Sequence, residues 1–140
     1  MGELTTHIYF ASNTLARKIS KMADDLFKPY GFSSSYAFLI MEINRTGGLS
    51  QKQVSNDFHL APSTVTRFVD KLVKMGLVER KQQGAEMTLG LTKKGVETAK
   101  RLEDDLLILN GQLTDAYGEK YLETLNKMLL HGITLLDSES

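Results

Sequence analysis

The chain has 140 residues, 41% hydrophobic and 24% charged, with 17 Lys and Arg balancing 17 Asp and Glu, and it has no cysteine. That is enough length for one domain with its own core, and the composition of a globular rather than a disordered chain. Disulfides, thiolate metal ligands and thiol redox sensing are excluded; no apolar run approaches the ~20 residues of a membrane span, and "MGELTTHIYF" lacks the basic-then-apolar order of a secretory signal, so a cytoplasmic location is expected.

In the first 28 residues Ile8, Ala11, Leu15, Ile19, Met22 and Leu26 recur every three or four positions, which predicts one long helix ending before Pro29. A loop through "YGFSSS" leads to a second helix marked by Tyr36, Leu39, Ile40 and Ile43 and stopped by Gly47-Gly48. Ser50 and Gln53 form an S-x-x-Q capping box that opens a short third helix carrying Val54 and Phe58. Pro62 suits the first position of a fourth helix, and Gly76 suits its end. Met87, Leu89 and Leu91 then alternate with Thr88 and Gly90, a period of two that predicts a hairpin of roughly 78–81 against 86–91. Thr92 can cap a fifth helix with the stripe Val96, Ala99, Leu102, Leu106, Leu109 and Leu113, and after Tyr117-Gly118 a sixth carries Tyr121, Leu122, Leu125, Met128, Leu129, Ile133 and Leu136. The fold class is mainly α with a small β-hairpin. The terminal helices have more apolar face than a compact monomer of this length can cover, which suggests dimerisation; packing as an intramolecular bundle is the alternative.

The stretch "APSTVTRFVDKLVKMGLVER" concentrates the chemistry. Val65, Phe68, Val69 and Leu72 follow i, i+3, i+4, i+7 and face a core, while Ser63, Arg67, Asp70 and Lys74 lie about opposite, with Thr64, Thr66 and Lys71 on the flanks. Short hydroxyls let a helix backbone approach a major groove and reach phosphates or base edges, and an arginine can fork onto guanine O6 and N7. Preceded by a short helix and followed by a hairpin, this stretch reads as a winged helix-turn-helix. The zero net charge conceals a local imbalance: residues 51–100 hold 9 Lys and Arg against 5 Asp and Glu, residues 101–140 hold 3 against 8. A basic middle therefore stands beside an acidic end. Lys93 and Lys94 sit in the first turn of the fifth helix, where cations oppose the helix dipole; a DNA phosphate nearby would relieve that conflict.

"LSQKQVSNDFHLAPSTVTRFVDKLVKMGLVERK…LTKKG" resembles the winged helix-turn-helix core of the MarR family of bacterial transcriptional regulators, and the likeness extends more loosely over the flanking helices. The resemblance implies a single domain spanning 1–140. Segments 1–30 and 115–140 would dimerise, 33–92 would form the DNA-binding lobe, and 92–117 would connect them. It implies a homodimer binding a near-palindromic operator on double-stranded DNA, with Ser63, Thr64, Thr66 and Arg67 contacting DNA from the recognition helix; as cations around that helix, Lys71, Arg80, Lys81 and Lys94 are expected as further contacts. The wing departs from the family pattern, because "KQQGAEM" is short and carries no arginine at its tip. Its nearest cations are Arg80 and Lys81, and Lys81 is expected on a phosphate.

The resemblance also implies a small-molecule site between the lobe and the dimerisation helices. Phe10, Tyr30, Phe32, Tyr36 and Phe38 offer an aromatic wall, with Arg17 as partner for the carboxylate or phenolate of a small aromatic or phenolic effector. His7, His59 and His131 are widely separated, so no metal site and no cofactor is expected. Repression by occluding a promoter is the expected mode, with activation open. The enzyme class finds no G-x-S-x-G, P-loop, H-E-x-x-H or G-x-G-x-x-G to stand on. The rival reading is a winged helix used as a protein-interaction module, which salt-dependent DNA binding would separate from a regulator.

Overall fold

In the computed structural model, which describes residues 2–137, the chain runs α1 (Glu3–Thr6), α2 (Ile8–Phe27), a 3-10 turn (Lys28–Tyr30), α3 (Ser34–Thr46), β1 (Leu49–Ser50), α4 (Gln51–Asp57), α5 (Pro62–Lys74), β2 (Val78–Gln83), β3 (Glu86–Leu91), α6 (Lys93–Tyr117) and α7 (Glu119–Asp137). Met1 and residues 138–140, the outer ends of the two segments assigned to dimerisation, lie outside the described residues. Two compact units are present, one through Asp105 and one from Leu106 onward, with α6 contributing to both.

The single long first helix expected from the apolar stripe is broken at His7. Its backbone is extended (φ −64°, ψ 145°), and its Nδ1 accepts a hydrogen bond from the Tyr9 N–H at 3.0 Å, so His7 caps α2 instead of continuing α1. Only the C-terminal part of α2 is covered within the first unit, where Ala23 and Phe27 are buried. Full burial of a side chain such as Phe27 is worth about 1.5–3 kcal/mol. α3 delivers Ala37, Leu39, Ile40, Met41 and Ile43 to the same core, and its first turn is capped from outside, the Ser34 N–H donating to Asp24 Oδ1 at 2.7 Å.

The capping box is formed as its spacing predicts: Gln53 N–H donates to Ser50 Oγ at 3.0 Å and Ser50 N–H donates to Gln53 Oε1 at 2.9 Å. The hairpin is longer than expected, with β2 reaching Gln83 and pairing with β3 in the register Val78↔Leu91, Arg80↔Leu89, Gln83↔Glu86 around a Gly84–Ala85 turn. A third strand escaped the sequence reading. β1 pairs antiparallel with β3 (Leu49↔Leu89), so the described residues form a three-stranded sheet in the order β1-β3-β2. Leu49, Leu77, Val78 and Leu89 are buried, and so are Val65, Val69 and Leu72 of α5.

In the second unit Leu109 is buried, whereas no residue of α7 is. Met128 (68% exposed), Leu129 (41%) and Leu136 (77%) leave an apolar face on α7, and Leu4, Ile8 and Tyr9 leave another at the start of the first unit. No helix among the described residues is long and apolar enough to cross a membrane.

Candidate nucleic-acid interface

α4 and α5 meet through a tight turn built by backbone bonds. Phe58 ends α4, His59 takes a left-handed conformation (φ +53°), and the Leu60 N–H reaches back to the Ser55 carbonyl at 3.1 Å while Ser55 Oγ donates to the Leu60 carbonyl at 2.6 Å. Histidine is one of the non-glycine residues that tolerate this region. Ala61 and Pro62 then start α5, the proline filling a position whose N–H would have had no helical partner. At the other end Gly76 (φ +75°) permits a Schellman closure, with Gly76 N–H on the Val73 carbonyl and Leu77 N–H on the Leu72 carbonyl.

These ends fix which face of α5 is presented. Val65, Val69 and Leu72 are buried, Phe68 and Thr64 are half-buried, and Ser63, Thr66, Arg67, Asp70, Lys71 and Lys74 are exposed. Thr66 Oγ1 donates to the Pro62 carbonyl at 3.1 Å, and Arg67 Nη2 donates to Thr64 Oγ1 at 3.3 Å. The guanidinium is thus leaned along its own helix toward the N-terminal end and has no acidic partner among the described residues. Between α4 and α5 lies a depression of about 390 Å³ lined by Gln51, Lys52, Ser55, Asn56, Pro62 and Thr66. Lys52, Ser55 and Asn56 were not singled out from the sequence. Their signal was a polar face on α4, which only the turn geometry sets beside Thr66.

The cations assigned with the recognition helix divide. Arg80 lies on the face of β2 toward the helices, where its Nη2 pairs with Asp70 Oδ1 and its Nε donates to Gln51 Oε1 at 3.0 Å, with only 27% of the side chain exposed. It ties wing, recognition helix and α4 together. Lys81, one residue on, points to the other side of the strand and stands 3.7 Å from Glu79 Oε1, with both side chains solvated. Lys71 places Nζ 4.8 Å from the ring centroid of Tyr36, a cation–π contact. Lys94 donates from Nζ to the Met75 carbonyl at 3.1 Å. The dipole conflict noted for Lys94 is therefore relieved within the chain, by a carbonyl at the negative end of α5.

Of the six residues assigned to an effector pocket, Tyr30, Phe32 and Tyr36 come together, Phe38 packs edge-on to Phe27 at 6.2 Å, and Phe10 and Arg17 do not join them. Tyr30 and Phe32 stack at 5.8 Å, Phe32 and Tyr36 are 6.3 Å apart, and Tyr36 stacks on Phe68 of α5 at 4.3 Å. Phe10 and Arg17 are away from this array. Phe10 packs edge-on to Tyr9, and Arg17 donates to Thr14 Oγ1 at 3.2 Å. The reason is helix length: at 1.5 Å per residue, Phe10 stands about 25 Å along α2 from Phe27. A hollow of about 490 Å³, open to solvent, is lined by Asp24, Asp25, Lys28, Gly31, Phe32, Ser33 and Lys71.

Tyr30 is the most perturbed titrating group of the array. Its hydroxyl donates to Asp105 Oδ2 at 2.6 Å, and Arg101 lies 5.2 Å from its ring. Burial first, then the hydrogen bond to and charge of Asp105, push its pKa from 10.0 up to about 12. The folded state therefore prefers the protonated phenol, so this contribution to stability is complete below pH 10 and is lost as pH rises from about 10 to 12. Denaturation of wild type and Tyr30→Phe across pH 9 to 12 is expected to show a steeper fall in the wild type; parallel curves would contradict the assignment.

Residues 32–84 match the family model described as the MarR family. The chain is 29% identical over 106 residues, 74% of its length and 75% of the relative's, to the uncharacterized HTH-type transcriptional regulator YwoH of Bacillus subtilis. Among solved structures it is similar to a putative MarR family transcriptional regulator from Listeria monocytogenes complexed with 26mer DNA (18% identity, TM-score 0.82, covering 95% of this chain and 91% of that one). It is also similar to S. aureus MepR in a DNA complex (14% identity, TM-score 0.81, covering 91% and 97%). Residues 32–84 thus carry a MarR-family domain, and the fold built around them is similar to that of the MarR-family structures.

Proposed function

We propose that this chain is a MarR-family transcriptional regulator that binds double-stranded DNA sequence-specifically as a homodimer and represses transcription by occluding a promoter in the cytoplasm. The observation that carries the reading is the exposed face of α5. Ser63, Thr66 and an acid-free Arg67 project from a helix whose opposite face is buried and whose two ends are closed by the turn and the Schellman bonds. The helix N-terminus adds free N–H groups and the positive end of its dipole, which favour a phosphate. In this reading Ser63, Thr64, Thr66 and Arg67 approach the bases, and Lys81 serves as a phosphate contact from the wing. Arg80 positions, through Asp70 and Gln51, the surface that reads. Lys71 reaches a phosphate only by leaving Tyr36.

The second copy is proposed from the apolar faces at Leu4, Ile8 and Tyr9 and at Met128, Leu129 and Leu136, which are exposed in groups rather than singly scattered. Two recognition helices would then read half-sites about one helical turn, ~34 Å, apart on a near-palindromic operator. The division into terminal dimerisation segments, a central lobe and a connecting helix follows from the same proposal. For release by a small organic ligand, Tyr30, Phe32 and Tyr36 remain the proposed wall, since their array ends on Phe68 of α5. Such a ligand acts only by binding the released conformer more tightly than the DNA-competent one.

Incubating the protein with a pool of random duplexes and sequencing the bound fraction tests the reading. A near-palindromic motif with half-sites one turn apart is the expected result. A pool that stays random, or no bound fraction, would replace it with the protein-interaction module.

A further inference from the structure

The C-terminal end of α5 is gripped by the first turn of α6. Thr92 Oγ1 donates to the Gly76 carbonyl at 2.6 Å and accepts from the Gly95 N–H at 3.0 Å, and the Thr92 N–H donates to the Leu77 carbonyl at 3.1 Å. Lys94 Nζ adds the bond to the Met75 carbonyl at 3.1 Å. Gly95 completes the grip, because a side chain there would overlap the Leu77 carbonyl oxygen. Three successive carbonyls, of Met75, Gly76 and Leu77, are thus each satisfied from residues 92–94.

From this geometry we infer that Lys94 is a positioning residue for the recognition helix, acting through the Met75 carbonyl, and is not a phosphate ligand. The inference rests on the DNA-binding reading of α5 and assigns Lys94 a role within it. The carbonyls at this end carry the negative pole of the α5 dipole, so an ammonium there is favourable. The same charge one turn into α6 opposes that helix's positive pole. One lysine bridging the two ends gains the first interaction and offsets the second. Midway along α5, Asp70 is tied to β2 by Arg80. With its middle and its C-terminal end held, α5 keeps a fixed angle, and its N-terminal half is left to present Ser63, Thr66 and Arg67. A change in that angle moves base contacts more than it moves charge.

Phosphate contact and positioning separate in their dependence on sequence and salt. Affinities of wild type, Lys94→Met and Lys94→Arg are measured on the selected duplex and on a scrambled one across a salt series, with melting temperature recorded for each protein. Lys94→Met is expected to lower the selected-to-scrambled ratio by roughly tenfold, about the worth of one mismatched base pair. Its salt slope on either duplex should stay that of wild type. Lys94→Arg, which retains a donor long enough to reach Met75, should restore most of the ratio. Equal weakening on both duplexes with a slope lower by about one would make Lys94 a phosphate ligand and overturn the inference. Unchanged affinities on both would also overturn it. A wild-type protein without preference would bring down the DNA-binding reading itself, and that result is seen before any variant is compared.

Discussion

Gly95→Ala is expected to destabilise the protein by about 3 kcal/mol, the upper end of what overpacking costs, and to lower Tm by about 10 °C. Alanine is intrinsically the better helix former by up to ~1 kcal/mol, so propensity alone predicts the opposite sign. The clash decides, because the added methyl would overlap a backbone carbonyl oxygen, lie 3.0 Å from the carbonyl carbon of Leu77 and 3.2 Å from Leu91 Cβ. None of these is the far end of a flexible side chain. The Leu77 oxygen is moreover held by the Thr92 N–H, so retreat breaks a hydrogen bond. Gly111, also within α6, has nothing within 4 Å of its would-be Cβ and serves as the control. Urea denaturation of both variants should give Gly111→Ala at or above wild type and Gly95→Ala well below it. A Gly95→Ala protein as stable as wild type would refute the close approach of α6 to the end of α5.

Arg67→Ala should cost about 1–3 kcal/mol on the selected duplex and relax base preference at one position of each half-site, leaving affinity for scrambled DNA nearly intact. Arg67 is exposed and its guanidinium donates to Thr64 Oγ1 on its own helix, so folding stability should change by no more than about 0.5 kcal/mol. Loss of binding without loss of preference would make Arg67 a phosphate contact. Full retention of both would remove it from the interface.

What could be read from the sequence was what local chemistry determines. Ser50 and Gln53, Pro62, Gly76 and Thr92 mark helix ends because their partners lie within a few residues, and each stands where its spacing put it. The inward stripe Val65, Val69 and Leu72 is legible for the same reason. Most of the rest depended on distant partners. β1 is two residues long and exists only through β3, some forty residues on. The break at His7 turned on an imidazole accepting a backbone hydrogen bond, a capping role outside the usual Ser, Thr, Asp and Asn. Arg80 looked like a free cation until Asp70 and Gln51 were brought to it from two other elements. The electrostatic conflict at Lys94 was legible, but the carbonyl that relieves it was not, since it belongs to a residue nineteen positions earlier. The aromatic wall shows the same limit. Tyr30, Phe32 and Tyr36 are near in sequence and meet, whereas Phe10 and Arg17 share their helix with Phe27 but not their position along it.

The central claim is that the exposed face of α5, with the cations around it, is a DNA surface. The salt dependence of binding to the selected duplex tests it most directly. Neutralising roughly six or more phosphates predicts a loss of affinity of about 10³-fold or greater between about 50 and 200 mM salt, linear on logarithmic axes. An affinity that hardly changes over that range would contradict the claim and point to a protein partner for the same face.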